Sequence, residues 1–168
     1  ANMINPNHLA IGILAGGSSS RMGSDKGSLR LPNQQTLLEY MLSKYTRENL
    51  VFSSGVCNSQ VSGFEVVPDV SSSRLGPVFG IVCSLVWLAR EHPKITQCIF
   101  IPVDMAYLCF EDLGKLITVP QEIGYFKGSP LPIKINITNN VLSVCHELFT
   151  KIPLLGGYSV IDFIRHFA

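Results

Sequence analysis

The stretch Leu9–Leu29, LAIGILAGGSSSRMGSDKGSL, decides how the rest of the chain reads. Leu9 to Leu14 is a continuous apolar run of strand length, the pattern of a strand covered on both faces. It breaks into a loop, Ala15 to Gly27, built of glycine, serine and charge. Gly16 and Gly17 let the backbone turn sharply and approach a ligand closely. Successive N–H groups in such a turn form a nest for phosphate oxygens. Ser18, Ser19 and Ser20 add hydroxyl donors, Arg21 a planar fork and Lys26 a mobile point charge. Two cations and many donors after a buried strand suit a di- or triphosphate. The alternative is a flexible surface loop with solvated charges. The spacing matches neither G-x-x-x-x-G-K-[ST] nor G-x-G-x-x-G, so the P-loop and the dinucleotide fingerprint are both excluded.

Outward from this loop, strands and helices alternate. Thr36 with Glu39 three residues on forms a capping box for a helix from Leu37 to about Arg47. Strands are predicted at Leu50–Ser53 and Phe64–Val67, the latter ended by Pro68. A polar loop then leads to Gly76-Pro77, a suitable start for an apolar helix carrying Val78 to Glu91. Ile95–Ile101 is a strand running into Pro102-Val103-Asp104-Met105. After it come a helix (Glu111–Ile117), a strand (Glu122–Phe126), an extended run (Pro132–Ile137) and helices at Asn140–Phe149 and Tyr158–Phe167. This order predicts one doubly wound, mostly parallel, three-layer α/β/α domain over residues 3–168. Ala1 and Asn2, ahead of Met3, read as an expression remnant. Ligands in such folds bind at the carboxyl ends of the strands. The loops at Ala15, Asp69 and Pro102 are therefore expected to meet at one edge.

Asp104 follows the most apolar strand at that edge, and a carboxylate facing a polyphosphate can hold Mg²⁺. The other readings of Asp104 are a helix cap or a solvated loop residue. Gly76 and Pro77 would let a helix start approach a phosphate, or let the helix pack closely on the sheet.

Composition agrees. Of 168 residues, 46% are hydrophobic and 15% charged, which excludes disorder. A net charge of +1 gives no footprint for a nucleic-acid partner. The longest apolar stretch, Leu75 to Ala89, is too short for a membrane span, and no signal peptide is visible. Five cysteines in no C-x-x-C spacing read as reduced thiols in a cytoplasmic protein. His8, His92, His146 and His166 lie at no metal-ligand spacing, and Cys109 has no neighbouring base that would make it a nucleophile.

The segment LAGGSSSRMGSDK closely resembles the opening signature of the molybdenum cofactor guanylyltransferase family, L-A-G-G-x-x-x-R-M-G-x-D-K, within the nucleotidyltransferase superfamily. VVPDV (Val66–Val70), LGPVFGI (Leu75–Ile81), IPVDM (Ile101–Met105) and SPLPIKI (Ser129–Ile135) resemble later family segments in order and spacing. The resemblance implies a Rossmann-like nucleotidyltransferase fold. It further implies transfer of GMP from Mg-GTP to the phosphate of molybdopterin or the molybdenum cofactor, with other proteins of that cofactor pathway as partners. Arg21, Lys26 and Asp104 would be catalytic, with Asp104 on the metal. Leu14, Ala15, Gly16, Gly17, Ser18, Lys26, Asp69, Gly76 and Pro77 would bind the nucleotide, Asp69 reading the guanine edge. The family's asparagine after the second strand is replaced here by Ser53 or Ser54, and its closing N-x-N-T-P segment has no counterpart up to Ala168. Two alternatives stay open: a cytidylyltransferase using CTP, and a non-catalytic nucleotide-binding accessory protein.

Overall fold

The computed structural model describes residues 8–15, 30–33, 35–45, 49–54, 64–67 and 75–167. Six strands form one sheet: β1 (Leu9–Leu14), β2 (Leu50–Ser54), β3 (Glu65–Val67), β4 (Gln97–Pro102), β5 (Ile123–Phe126) and β6 (Ser129–Asn136). Five helices cover it: α1 (Leu37–Lys44), α2 (Pro77–Glu91), α3 (Phe110–Ile117), α4 (Asn139–Leu155) and α5 (Val160–Arg165). The order across the sheet is β3-β2-β1-β4-β6-β5. β1 to β4 pair in parallel, whereas β6 runs antiparallel to both β4 and β5. The α/β reading of the sequence is met, and the sheet is mixed.

Side chains alternate between two cores, as the pleat requires. Ala10 and Leu14 of β1, with Phe52, Phe100, Ile133 and Ile135, face α2, α4 and α5. Leu9, Ile11 and Ile13, with Val51, Ile99 and Ile101, face α1 and α3. Gly12 lies on the first of these faces because two rings occupy the space beside it. A Cβ there would come within 2.7 Å of Phe52 and 2.9 Å of Phe100. Those rings meet edge-to-face across β1, with centroids 6.2 Å apart.

The antiparallel direction of β6 brings a further segment to the carboxyl edge of the parallel strands. Phe100 pairs with Ile133, so the residues before Ile133 continue past the carboxyl end of β4. α4 then starts at the opposite edge, capped by the Thr138 hydroxyl, which accepts from the Val141 N–H. Its 17 residues carry the chain about 25 Å back. The pattern predicted an end at Phe149, yet the helix continues to Leu155 with Pro153 in its last turns. It stops at Gly156, whose φ of 79° is the left-handed conformation that glycine adopts without penalty. α5 is shorter than expected, because Ser159 caps it and Tyr158 stays outside.

Candidate active site

Three carboxyl-terminal strand ends are tied level with one another. Leu14 pairs with Ser54 on one side and with Pro102 on the other. Just beyond, the Ala15 N–H donates to the Ser54 carbonyl at 3.0 Å, and the Val103 N–H donates to the Leu14 carbonyl at 3.2 Å. The residue that opens the glycine-serine loop is thus fixed to the end of β2, and the residue before Asp104 to the end of β1. Leu14 and Ala15 are buried, and Asp104 is exposed.

Asp104 sits in a turn closed by the Met105 N–H donating to the Pro102 carbonyl at 3.0 Å. It caps no helix: α3 begins six residues later, at Phe110. There the Asp112 carboxylate accepts from both the Cys109 N–H at 3.0 Å and the Cys109 thiol at 3.1 Å. That bond to a carboxylate pushes the Cys109 thiol up, away from nucleophilic thiolate chemistry. The backbone N–H of Cys109 in turn pulls Asp112 down. The helix-cap reading of Asp104 falls.

Gly76 and Pro77 open α2 at the same edge. Gly76 is the N-cap with φ of 86°, Pro77 holds the first helical position, and no side chain caps the helix. The positive end of a 15-residue helix therefore lies at this edge, a geometry that suits an anion. The body of α2 is locked to the sheet nearby. The Ser54 hydroxyl donates to the Gly80 carbonyl at 3.1 Å, and the Ser84 hydroxyl donates to Ser54 Oγ at 2.9 Å. A Cβ at Gly80 would lie 3.0 Å from Ser54 Oγ, so close helix-to-sheet packing also holds. Ser53 and Ser54 are both buried. The residues that replace the family's asparagine thus lie inside the protein, with Ser54 anchoring α2.

The chain reaches this edge twice more. Ser129–Pro132, the start of β6, extends past the end of β4, with the Ser129 hydroxyl donating to the Leu131 carbonyl at 2.7 Å. The turn after α4 comes against the start of α2: a Cβ on Gly157 would be 3.8 Å from the Leu75 carbonyl, and one on Gly76 would be 4.0 Å from that of Tyr158. Leu14, Ala15, Gly76, Pro77 and Asp104 are therefore brought to one sheet edge, as the order of strands predicted. Gly16, Gly17, Ser18, Arg21, Lys26 and Asp69 lie outside the described residues.

Two residues that do not stand out in the sequence hold the carboxylate loop. Lys44 Nζ, at the end of α1, donates to the Ala106 carbonyl at 2.5 Å. The Tyr45 hydroxyl donates to the Leu108 carbonyl at 2.8 Å. Burial, then the neighbouring Tyr40, Cys109 and Asp112, push the Tyr45 hydroxyl up to about 12, so it stays a donor.

The sequence pattern of the MobA-like NTP transferase domain matches residues 11–125. The chain belongs to that family. It is 31% identical over 113 residues to a molybdenum cofactor guanylyltransferase of Rhizobium johnstonii, a match covering 67% of this chain and 53% of that protein. The chain thus spans about half the length of the curated relatives it matches. Its fold is that of molybdopterin-guanine dinucleotide biosynthesis protein A from Archaeoglobus fulgidus, with a TM-score of 0.61, 18% identity, and coverage of 93% of this chain and 86% of that one. The 2-C-methyl-D-erythritol 4-phosphate cytidylyltransferase of Francisella tularensis gives a TM-score of 0.61 at 9% identity, covering 95% and 86%. The family match includes the glycine-serine loop, the Gly76-Pro77 helix start and Asp104.

A divalent ion fits this donor set. Mg²⁺ takes one or two carboxylates and fills its remaining positions with water and phosphate oxygens. Asp104 offers a hard oxygen ligand at the exposed edge. Among the described residues no group of three His, Cys, Asp or Glu could form an all-protein cage. Among the described residues no helix is long and apolar enough to cross a membrane.

Proposed function

We propose that this chain is a cytoplasmic nucleotidyltransferase domain that joins GMP from Mg-GTP to the phosphate of molybdopterin or its molybdenum form, releasing pyrophosphate. The observation that carries the reading is the tying of Ala15 and Val103 to β1 and its parallel partner, within a MobA-like NTP transferase sequence. It sets the root of the glycine-serine loop beside the Asp104 turn. The name of the Rhizobium johnstonii relative supports the choice of guanine nucleotide and cofactor acceptor. Cys98, Cys109 and Cys145 are free thiols, which supports a reducing compartment. Other proteins of the cofactor pathway are the expected partners.

In this reading Leu14 and Ala15 lead the backbone into the phosphate cradle, where Gly16, Gly17 and Ser18 present N–H and hydroxyl donors to the triphosphate. Arg21 and Lys26 balance charge on the α-phosphoryl oxygens and on the departing pyrophosphate. Gly76 and Pro77 bring the positive end of α2 toward a phosphate, and Asp69 accepts from the guanine N1–H and 2-amino group. Asp104 would hold Mg²⁺, which would supply Lewis-acid stabilisation of the negative charge on the phosphates. The acceptor phosphate is ionised near neutral pH, so no side chain has to remove a proton from it.

The test is turnover of the purified chain with Mg²⁺ and molybdopterin, with GTP, CTP and ATP in separate reactions and Asp104→Ala as control. Pyrophosphate and dinucleotide release with GTP alone, reduced at least about a hundredfold in the variant, is the expected result. Turnover with CTP alone would move the assignment to cytidylyl transfer. Saturable GTP binding without turnover would leave only the binding function.

A further inference from the structure

The segment between β4 and α3, Val103 to Cys109, carries Asp104 and has no regular secondary structure. Its local bonds shape it: Met105 N–H to the Pro102 carbonyl, Leu108 N–H to the Met105 carbonyl at 3.3 Å, and Cys109 N–H to Asp112. These bonds join neighbours in sequence, so they set the curl of the segment and leave its placement on the sheet open. The Val103 N–H holds one end. Val103 and Leu108 are buried in the core beneath α1 and α3, which holds the segment without direction, and two directional ties come from the end of α1, more than sixty residues earlier: Lys44 on the carbonyl of Ala106 and Tyr45 on that of Leu108.

Neither tie is an accident of packing. Tyr45 is fully buried, its ring edge-on to Phe110 with centroids 5.6 Å apart. A phenylalanine would fill that space equally, and the hydroxyl adds only the bond to Leu108. The Lys44 ammonium lies over the rings of Tyr40 and Tyr45, 5.8 and 5.4 Å from their centroids, which holds it in place over the loop. Two carbonyls, two and four residues beyond Asp104, are thus held by one helix end. A metal carboxylate has to be kept within about 0.5 Å of its productive position.

We propose that α1 is a strut that aims Asp104 at the metal of the nucleotide complex, with Lys44 and Tyr45 as its positioning residues. Neither touches the reacting atoms; both act through the backbone of residues 106–108. The inference rests on the metal role given to Asp104 above, and it assigns two residues that role does not include. Removing either tie loosens metal binding and leaves the nucleotide's own contacts intact.

The test is titration of Mn²⁺ into the full chain with a GTP analogue whose α,β-bridge is methylene, read by electron paramagnetic resonance. Nucleotide affinity without metal and the melting temperature are measured in parallel. Wild type, Asp104→Asn, Lys44→Met, Lys44→Arg and Tyr45→Phe are compared. Lys44→Met and Tyr45→Phe are expected to weaken Mn²⁺ about tenfold with nucleotide affinity unchanged, and Lys44→Arg to recover most of the loss. Asp104→Asn weakened while Lys44→Met and Tyr45→Phe bind like wild type would overturn the strut and leave the metal role standing. Asp104→Asn equal to wild type would remove the metal role, and the strut with it. A fall in melting temperature with unchanged Mn²⁺ affinity would mark the two ties as merely structural. Methionine at the half-buried Lys44 keeps the side-chain stem, so the test does not depend on Tyr45→Phe folding.

Discussion

On one face of the sheet α2, α4 and α5 bury a continuous apolar core, with Val78, Ile81, Leu85, Leu148 and Phe163 all inaccessible. On the other face α1 and α3 are eight residues each, and much of what fixes their surroundings is polar. Lys44 and Tyr45 reach the Asp104 segment from α1, Asp112 holds the start of α3, and Lys134 of β6 sits under its end. Lys134 is fully buried, and its ammonium donates to the carbonyls of Val119 at 2.7 Å and Gln121 at 2.6 Å and to Asn136 Oδ1 at 3.3 Å. Burial draws its pKa down, and its three donors are matched by three acceptors. Apolar burial is non-directional and gives bulk stability. Hydrogen bonds are directional and give placement. Both faces have an apolar core and directional bonds, Ser54 and Ser84 on the first and Lys44, Tyr45 and Lys134 on the second, and on the second the directional bonds hold the Asp104 segment.

Three substitutions test this contrast. Leu85→Ala on the apolar face is expected to cost about 3 kcal/mol in urea unfolding and to leave Mn²⁺ affinity where it was. A shift in metal affinity as large as that of Lys44→Met would end the distinction between the faces. Lys134→Met keeps the stem of the side chain and strips its donors, leaving the Val119 and Gln121 carbonyls short of partners. The expected loss is about 1–2 kcal/mol, since removing a buried charge offsets part of the cost. An equal or higher melting temperature would show that the ammonium is no tie. The smallest effect belongs to Asp112→Ala. The folded-state pKa of Asp112 is lowered, so its contribution is present above the ordinary carboxylate value of 3.8 and is lost as pH falls below it. Urea midpoints should differ slightly at pH 7 and converge at acid pH, once the carboxyl is protonated in the folded state as well. An unchanged gap at the acid end would assign the effect to packing.

Much of this was legible in the sequence. Thr36 caps α1 as expected, the Glu39 N–H donating to Thr36 Oγ1 at 3.1 Å, while the Glu39 carboxylate accepts from the Thr36 hydroxyl at 2.9 Å, a side-chain bond and not the backbone half of a capping box. The apolar runs of β1, β4 and α2, and the glycine-proline start of α2, are local patterns whose cause lies within a few residues. Asp104 and the Ala15 end of the loop were placed at one edge by strand order alone. What periodicity leaves unread is partnership over distance. The direction of β6 depends on where β4 receives it. Lys44 and Tyr45 look like the ordinary end of an amphipathic helix until the carbonyls they meet, 62 and 63 residues on, are known. Ser54 could stand in for a base-reading asparagine by its position, and only its bonds to Gly80 and Ser84 show it turned inward.

β1 is paired on both sides over most of its length and covered on both faces. In deuterated solvent the amides of Ile11, Gly12 and Ile13 have no local opening to exchange through, and they wait for the whole domain to unfold. The strand that leads into the glycine-serine loop is thus expected to be the last seam of the molecule to part.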